Sequence, residues 1–139
     1  MTMNQQSQQD DLRVLVVEDD RSVRRMLRFS LREGGFEITE AATGGEALLS
    51  LQAEVPTAVI LDLGLPDGLG GVVLDWLRQS KDRPTGWPVW VAISAQDQND
   101  VARQYGPLGR HFLPKPFNPW ELVTRLQQLL AETGSPEAN

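Results

Sequence analysis

Cysteine is absent from all 139 residues. That one omission removes disulfide frameworks, thiolate zinc sites and cysteine nucleophiles together. Long apolar runs are missing too. No stretch approaches the roughly 20 residues needed to cross a bilayer, so no membrane partner is expected. The opening MTMNQQSQQDD lacks the apolar segment of a signal peptide, which implies a cytoplasmic chain. Basic residues are in the minority, 13 Lys and Arg against 19 Asp and Glu, for a net charge of -6. Affinity for DNA rests on cations that displace counterions, so direct nucleic-acid binding by this chain is not expected. No internal repeat is visible.

What is present describes one soluble domain. Residues 1–11 read as a flexible tail, 12–132 as the domain, and 133–139 as a second tail or the start of a linker. RVLVV (13–17) is a short β-branched run. Asp20 follows as a plausible N-cap, and then Val23, Met26, Leu27 and Leu31 recur at helical spacing until Gly34 and Gly35. FEIT (36–39) alternates like a strand with one exposed face, and TGGE (43–46) has capping-box spacing before Ala47, Leu48 and Leu51. TAVILD (57–62) is almost wholly apolar and precedes turn chemistry at 63–68. A helix marked by Val72, Val73, Trp76 and Leu77 follows. VWVAIS (89–94) predicts a fourth strand, 97–105 a weaker helix, and HFLP (111–114) a fifth strand that includes His111. Asn118, Pro119 and Glu121 supply the start of a last helix, with Leu122, Val123, Leu126, Leu129 and Leu130 on its apolar face. Five alternations of strand and helix predict a doubly wound α/β fold with a five-stranded parallel sheet and five helices.

In such sheets ligands bind outside the carboxyl ends of the strands. The first run ends in Glu18 and Asp19, the third in Asp62, the fourth in Ser94 and the fifth in Lys115. Clustered carboxylate oxygens suit a hard divalent cation, magnesium or manganese, which is commonly held by one or two carboxylates plus water and phosphate. With no cysteine, the best nucleophile is Asp62, and an aspartyl phosphate is an established kind of covalent intermediate. Lys115 and a metal would take up phosphoryl charge, and Ser94 would offer a hydroxyl. An acid after a strand is more often a helix cap than a ligand, which is the reading for Asp20. Two adjacent acids cannot both be the cap, however, so Glu18 and Asp19 read as ligands. A serine or lysine at such a place is ordinarily a turn or solvated residue; it is the joint placement at successive strand ends that favours the site.

VVEDD (16–20), LDLGLPDGLGG (61–71), ISA (93–95) and PKPF (114–117), in this order and spacing, resemble the receiver domain of two-component response regulators, from about Leu12 to about Leu130. The resemblance implies a flavodoxin-like strand order 2-1-3-4-5. It implies that Asp62 accepts a phosphoryl group from a sensor histidine kinase or a histidine phosphotransfer protein. Glu18, Asp19, Asp62 and the Gly64 carbonyl would ligate the metal. Ser94 would be the switch hydroxyl, Lys115 the phosphoryl-binding lysine with a cis bond to Pro116, and Phe112 the rotating aromatic. Downstream it implies an effector protein or output domain, and a phosphorylation-dependent homodimer. YGPLGRHF (105–112) departs from the family pattern and predicts a short fourth helix. Leu69 stands where many members carry a polar residue.

Arg21, Arg25, Arg28 and Arg32 line one face of the first helix, with Arg24 adjacent. They read as a solvated face with internal pairs or as a docking surface for the phosphodonor. Trp76, Trp87, Trp90 and Trp120 are scattered across elements and read as packing residues rather than a base-stacking platform. Two other functions compete. A magnesium-dependent phosphohydrolase with an aspartyl nucleophile is disfavoured because dehalogenase-type enzymes carry a second aspartate where this chain has Gly64. A non-phosphorylated interaction domain of the same fold is the third.

Overall fold

The computed structural model describes residues 12–79 and 87–133. The tail expected at 1–11 lies outside the described residues, as does that at 133–139 beyond Thr133. In chain order the elements are β1 (Arg13–Val17), α1 (Arg21–Glu33), β2 (Glu37–Ala41), α2 (Gly44–Ala53), β3 (Ala58–Asp62), α3 (Gly70–Arg78), β4 (Val89–Ser94), α4 (Gln98–Tyr105), a 3-10 turn (Gly109–His111), β5 (Phe112–Pro114) and α5 (Pro119–Thr133). All strand pairings are parallel and the order is β2-β1-β3-β4-β5, so the doubly wound fold and its strand order stand as expected.

Apolar runs such as VLVV and AVIL hide an alternation that only the sheet reveals. Leu15, Val17, Val59, Leu61, Ala92 and Phe112 face α2, α3 and α4, packing with Ala47, Leu51, Val73, Leu77 and Val101. Their neighbours Val14, Val16, Ile60, Val91, Ile93 and Leu113 face α1 and α5, packing with Leu27, Leu31, Leu122 and Leu126. Helices cover both faces, so both sets must be apolar. β3 is central and every residue of it is buried, whereas edge strand β2 shows mostly exposed residues.

Several local expectations shift. The second strand runs over 37–41 rather than 36–39, because Phe36 is buried in the α1–α5 layer and precedes the strand. In α3 the buried face is Val73, Leu74 and Leu77, while Val72 is exposed, and Met26 of α1 is likewise at the surface. His111 closes the 3-10 turn instead of joining β5. Its Nδ1 lies 2.8 Å from the Trp90 carbonyl and its ring stacks on Trp90. α4 is indeed short, ending at Tyr105 before Gly106, whose φ of 84° a residue with a side chain rarely adopts. Trp76 and Trp87 pack ring against ring with centroids 4.2 Å apart, while Trp120 stays half exposed.

Two caps hold the helices that frame the carboxyl edge of the sheet. Asp20 Oδ1 accepts from the amides of Ser22 (2.8 Å) and Val23 (3.2 Å), so it caps α1 as expected. Thr43 Oγ1 accepts from Glu46 N, and Glu46 reaches back to the amide of Ala42. The α2 amides of Gly44 and Gly45 donate to Asp67 on the β3–α3 loop, at 3.1 and 2.9 Å. Leu69 follows on that loop. A Cβ on Gly44 would lie 2.5 Å from Leu69 Cβ, so the loop can close on α2 only over a glycine. The apolar Leu69 therefore packs where a polar residue would cap α3, and α3 has no side-chain cap.

The amide of Gly45, aided by those of Gly44 and Leu69, holds the Asp67 carboxyl below its usual range against the opposing effect of burial. A depressed carboxyl stabilises the fold above its unfolded value and loses that contribution as pH falls through its folded value. Asp67→Ala therefore lowers the melting temperature near neutral pH, and its gap to the parent protein narrows in acid. Paired melts at about pH 7 and about pH 3 measure both; a gap unchanged between them would contradict the assignment.

Candidate functional site

β1 and β3 are neighbours whose following helices leave toward opposite faces, and this opens a crevice at their carboxyl ends. Glu18 follows β1 directly, its amide still paired to Ala41 of β2 at 3.0 Å. Its side chain is fully buried; Oε2 accepts from the Asp20 amide at 3.0 Å. Asp62 ends β3 with only 4% of its surface exposed, and Oδ1 accepts from the Gly64 amide at 2.9 Å. Ser94 ends β4, buried, its Oγ accepting from the Gln96 amide at 3.0 Å, which leaves its own proton free to donate. Lys115 follows β5, its amide donating to the Ser94 carbonyl at 2.8 Å.

From the end of β5 the lysine side chain points past β4 toward the acids that end β1 and β3. Its Nζ lies 2.8 Å from Glu18 Oε1 and 3.2 Å from Asp62 Oδ2. The Glu18 contact is close but poorly directed, so the buried Oε1 has an ion pair without an aligned hydrogen bond. Burial pushes the Glu18 carboxyl up to about 7, with the Asp62 charge adding to the rise and Lys115 and the Asp20 amide pulling against it. Burial alone would lower the Lys115 pKa, but the close ion pair with Glu18 and the charge of Asp62 outweigh it and leave it raised.

The crevice is a cavity of about 460 Å³ lined by Glu18, Asp19, Asp62, Gly64, Ser94 and Lys115 among others. The structure thus brings together each residue named from the strand ends. Carboxylate oxygens of Glu18, Asp19 and Asp62 lie within 4.8 Å of one another, and Asp19 is exposed to solvent. Hard oxygen donors this close, one of them a buried oxygen with no aligned donor, fit a small divalent cation. The Lys115–Pro116 bond is cis.

Phe112 does not join the cavity. It is buried beside Val101 and Leu108 on the α4 side of the sheet. Of the α1 arginines, Arg28 is tied to Glu40 of β2 at 2.6 Å, as is Arg24 at 3.1 Å. Among the described residues Arg21, Arg25 and Arg32 have no ion pair, and exposed Phe29 lies along the same stripe. Two features escaped the sequence reading. Arg24, placed only beside a cationic face, reaches the acidic turn itself. Gln104 and Tyr105 at the end of α4 also line the cavity.

A five-stranded parallel sheet in this order, with three acids and a lysine at its carboxyl edge, is the architecture of a receiver-type α/β domain. The sequence profile of the response regulator receiver domain matches residues 14–127, and the chain belongs to that family, the receiver domains of two-component systems. Relatives include the KDP operon transcriptional regulatory protein KdpE of Escherichia coli K12, 37% identical over 117 residues that make up 84% of this chain and 50% of that protein. Response regulator MprA of Mycolicibacterium vanbaalenii is 35% identical over 88% of this chain and 52% of its own length. The chain therefore spans about half the length of the curated relatives it matches. Among solved structures, a CheY-like receiver domain from Methanospirillum hungatei JF-1 superposes with TM-score 0.70 at 27% identity, covering 88% of this chain and 95% of that one. The signal receiver domain of a signal transduction histidine kinase from Syntrophus aciditrophicus gives 0.71 at 26% identity, over 91% and 96%. Among the described residues no helix is long and apolar enough to cross a membrane.

Because one cation faces two buried carboxylates, Lys115→Met costs stability by leaving them uncompensated. We expect about 2 kcal/mol, below the range for a fully buried pair because Lys115 keeps some solvent contact. Adding Glu18→Gln to Lys115→Met recovers much of the loss, which denaturant titration of the single and double variants reads out. A double variant no more stable than Lys115→Met would refute the charge argument.

Proposed function

We propose that this chain is a phosphoacceptor in which Asp62 takes a phosphoryl group from a phosphohistidine on a sensor histidine kinase or histidine phosphotransfer protein. The observation that carries the reading is Lys115 Nζ lying between Glu18 and Asp62 at the convergent strand ends. Glu18, Asp19, Asp62 and the Gly64 carbonyl would hold a magnesium or manganese ion, which when bound supplies charge neutralisation to phosphoryl oxygens.

Asp62 contributes the nucleophile: a carboxylate oxygen bonds to phosphorus as the phosphorus–nitrogen bond of the donor breaks, and the leaving imidazole takes a proton from solvent. The Gly64 amide and Lys115 orient the carboxylate beforehand. Lys115 then exchanges one of its carboxylate contacts for a phosphoryl oxygen, and the free Ser94 proton is directed to another. That exchange would bias a two-state surface around α4, β5 and α5, with Phe112 as its inner aromatic. Chemistry would be confined to Asp62's own phosphorylation and hydrolysis.

For the phosphodonor, the docking stripe would be Arg21, Arg25 and Arg32, Arg28 being held by Glu40; charge there acts chiefly on association rate. Downstream we place an effector protein or output domain, with phosphorylation-dependent homodimerisation, in the cytoplasm. The functional unit is taken as residues 12–132.

Incubation with magnesium and acetyl phosphate yields one phosphoryl adduct by intact mass, absent in Asp62→Asn. Asp19→Asn abolishes the adduct with little loss of fold, whereas Asp20→Ala costs about 1 kcal/mol and spares it. Turnover of many phosphoesters would instead indicate a phosphohydrolase, and no magnesium-dependent change at all would indicate a plain interaction domain.

A further inference from the structure

The acidic turn is held from behind by a contact that the phosphoacceptor chemistry does not call for. Arg24, in the first turn of α1, donates from Nη1 to the Glu18 carbonyl at 2.7 Å and to the Asp19 carbonyl at 3.1 Å. Its Nε donates to Glu40 Oε1 on edge strand β2 at 3.1 Å. The other Glu40 oxygen takes Arg28 at 2.6 Å. Arg28 first, and Arg24 with it, holds the Glu40 carboxyl below its usual range against burial. The side chain of Arg24 is only 18% exposed, so this is not a solvated surface pair.

We propose that Arg24 is a positioning residue for the metal-binding acids, itself set in place by Glu40. The inference rests on the reading of Glu18 and Asp19 as metal ligands. The guanidinium is a rigid planar fork, so one group can fix two successive carbonyls and a carboxylate in one geometry. With both carbonyls turned toward α1 and the Glu18 amide bound to Ala41, the peptide planes on either side of Asp19 are set. The Glu18 carboxylate is then presented to the cavity while its own backbone oxygen is withheld from it. The edge strand, which contributes no side chain to the cavity lining, thereby acts on the site through Glu40.

The sign of the effect separates this role from simple charge. Removing a cation near a dication site by itself strengthens magnesium binding, because a repulsion is lost. Loss of positioning weakens it, and residues that orient metal ligands typically contribute about 10-fold or more to affinity. A lysine keeps the charge but has no planar fork with which to meet two carbonyls and Glu40 at once.

The test is calorimetric titration of magnesium into the whole chain, comparing the parent with Arg24→Met, Arg24→Lys, Glu40→Gln and Arg28→Met, alongside thermal melts without metal. Positioning gives about a 10-fold fall in affinity for both Arg24 variants, a smaller fall for Glu40→Gln, and affinity near the parent's for Arg28→Met, which leaves Glu40 to Arg24. Should Arg24→Met fail to fold, Arg24→Lys and Glu40→Gln carry the comparison. Tighter binding by Arg24→Met, or parent affinity in Arg24→Lys, would overturn the proposal while leaving the metal site intact. A parent that binds no magnesium would overturn the metal-site reading and this inference with it.

Discussion

One ammonium group set against two buried carboxylates is the constraint on which the rest of the site depends. Glu18 and Asp62 are both nearly inaccessible to water, and charge in such a place is costly unless it is compensated. Lys115 compensates both at once, yet it comes from the far side of the sheet, past β4. The arrangement requires β1, β3, β4 and β5 to be parallel and in register, since a slip of one residue would turn each terminal side chain to the opposite face. Conversely, the acids are poised rather than at rest. The Glu18 carboxyl is driven upward mainly by burial, and one of its oxygens lacks an aligned donor, so the lysine leaves unmet a demand for charge that a small divalent cation could meet.

The surroundings of the site tie distant elements to this edge. Asp67 joins the β3–α3 loop to the start of α2, Asp20 starts α1 beside the acids, and Glu40 reaches them from the edge strand through Arg24. Asp20, Asp67 and Glu40 thus serve as structural anchors beside Glu18, Asp19 and Asp62, whose oxygens converge. The difference is in the donors that meet them: backbone amides and guanidinium groups for the anchors, but for Glu18 and Asp62 one backbone amide each and a single shared ammonium.

Much of this was legible in the chain. Strand and helix alternation is carried by local periodicity, and the residues that end apolar runs fall at the carboxyl edge of any sheet so built. Glu18, Asp19, Asp62, Ser94 and Lys115 could therefore be named before their meeting was seen. What resisted reading was geometry across elements. Phe36 looks like a strand residue and is a core plug; Val72 looks like a core residue and faces solvent; Arg24 looks like one more cation on a charged helix. Each depends on contacts with residues far away in the sequence, which local pattern does not encode.

The sequence by itself determined the order of elements, the parallel sheet they form and the chemical kinds gathered at its edge, because periodicity and residue type act locally. Only the tertiary structure decided which partner each charge meets. Lys115 spans β4 to bind Glu18 and Asp62, Arg28 is taken by Glu40, and Arg24 turns back onto the acidic turn. The physical reason is that a charge interacts according to distance and burial, and both are properties of the folded chain.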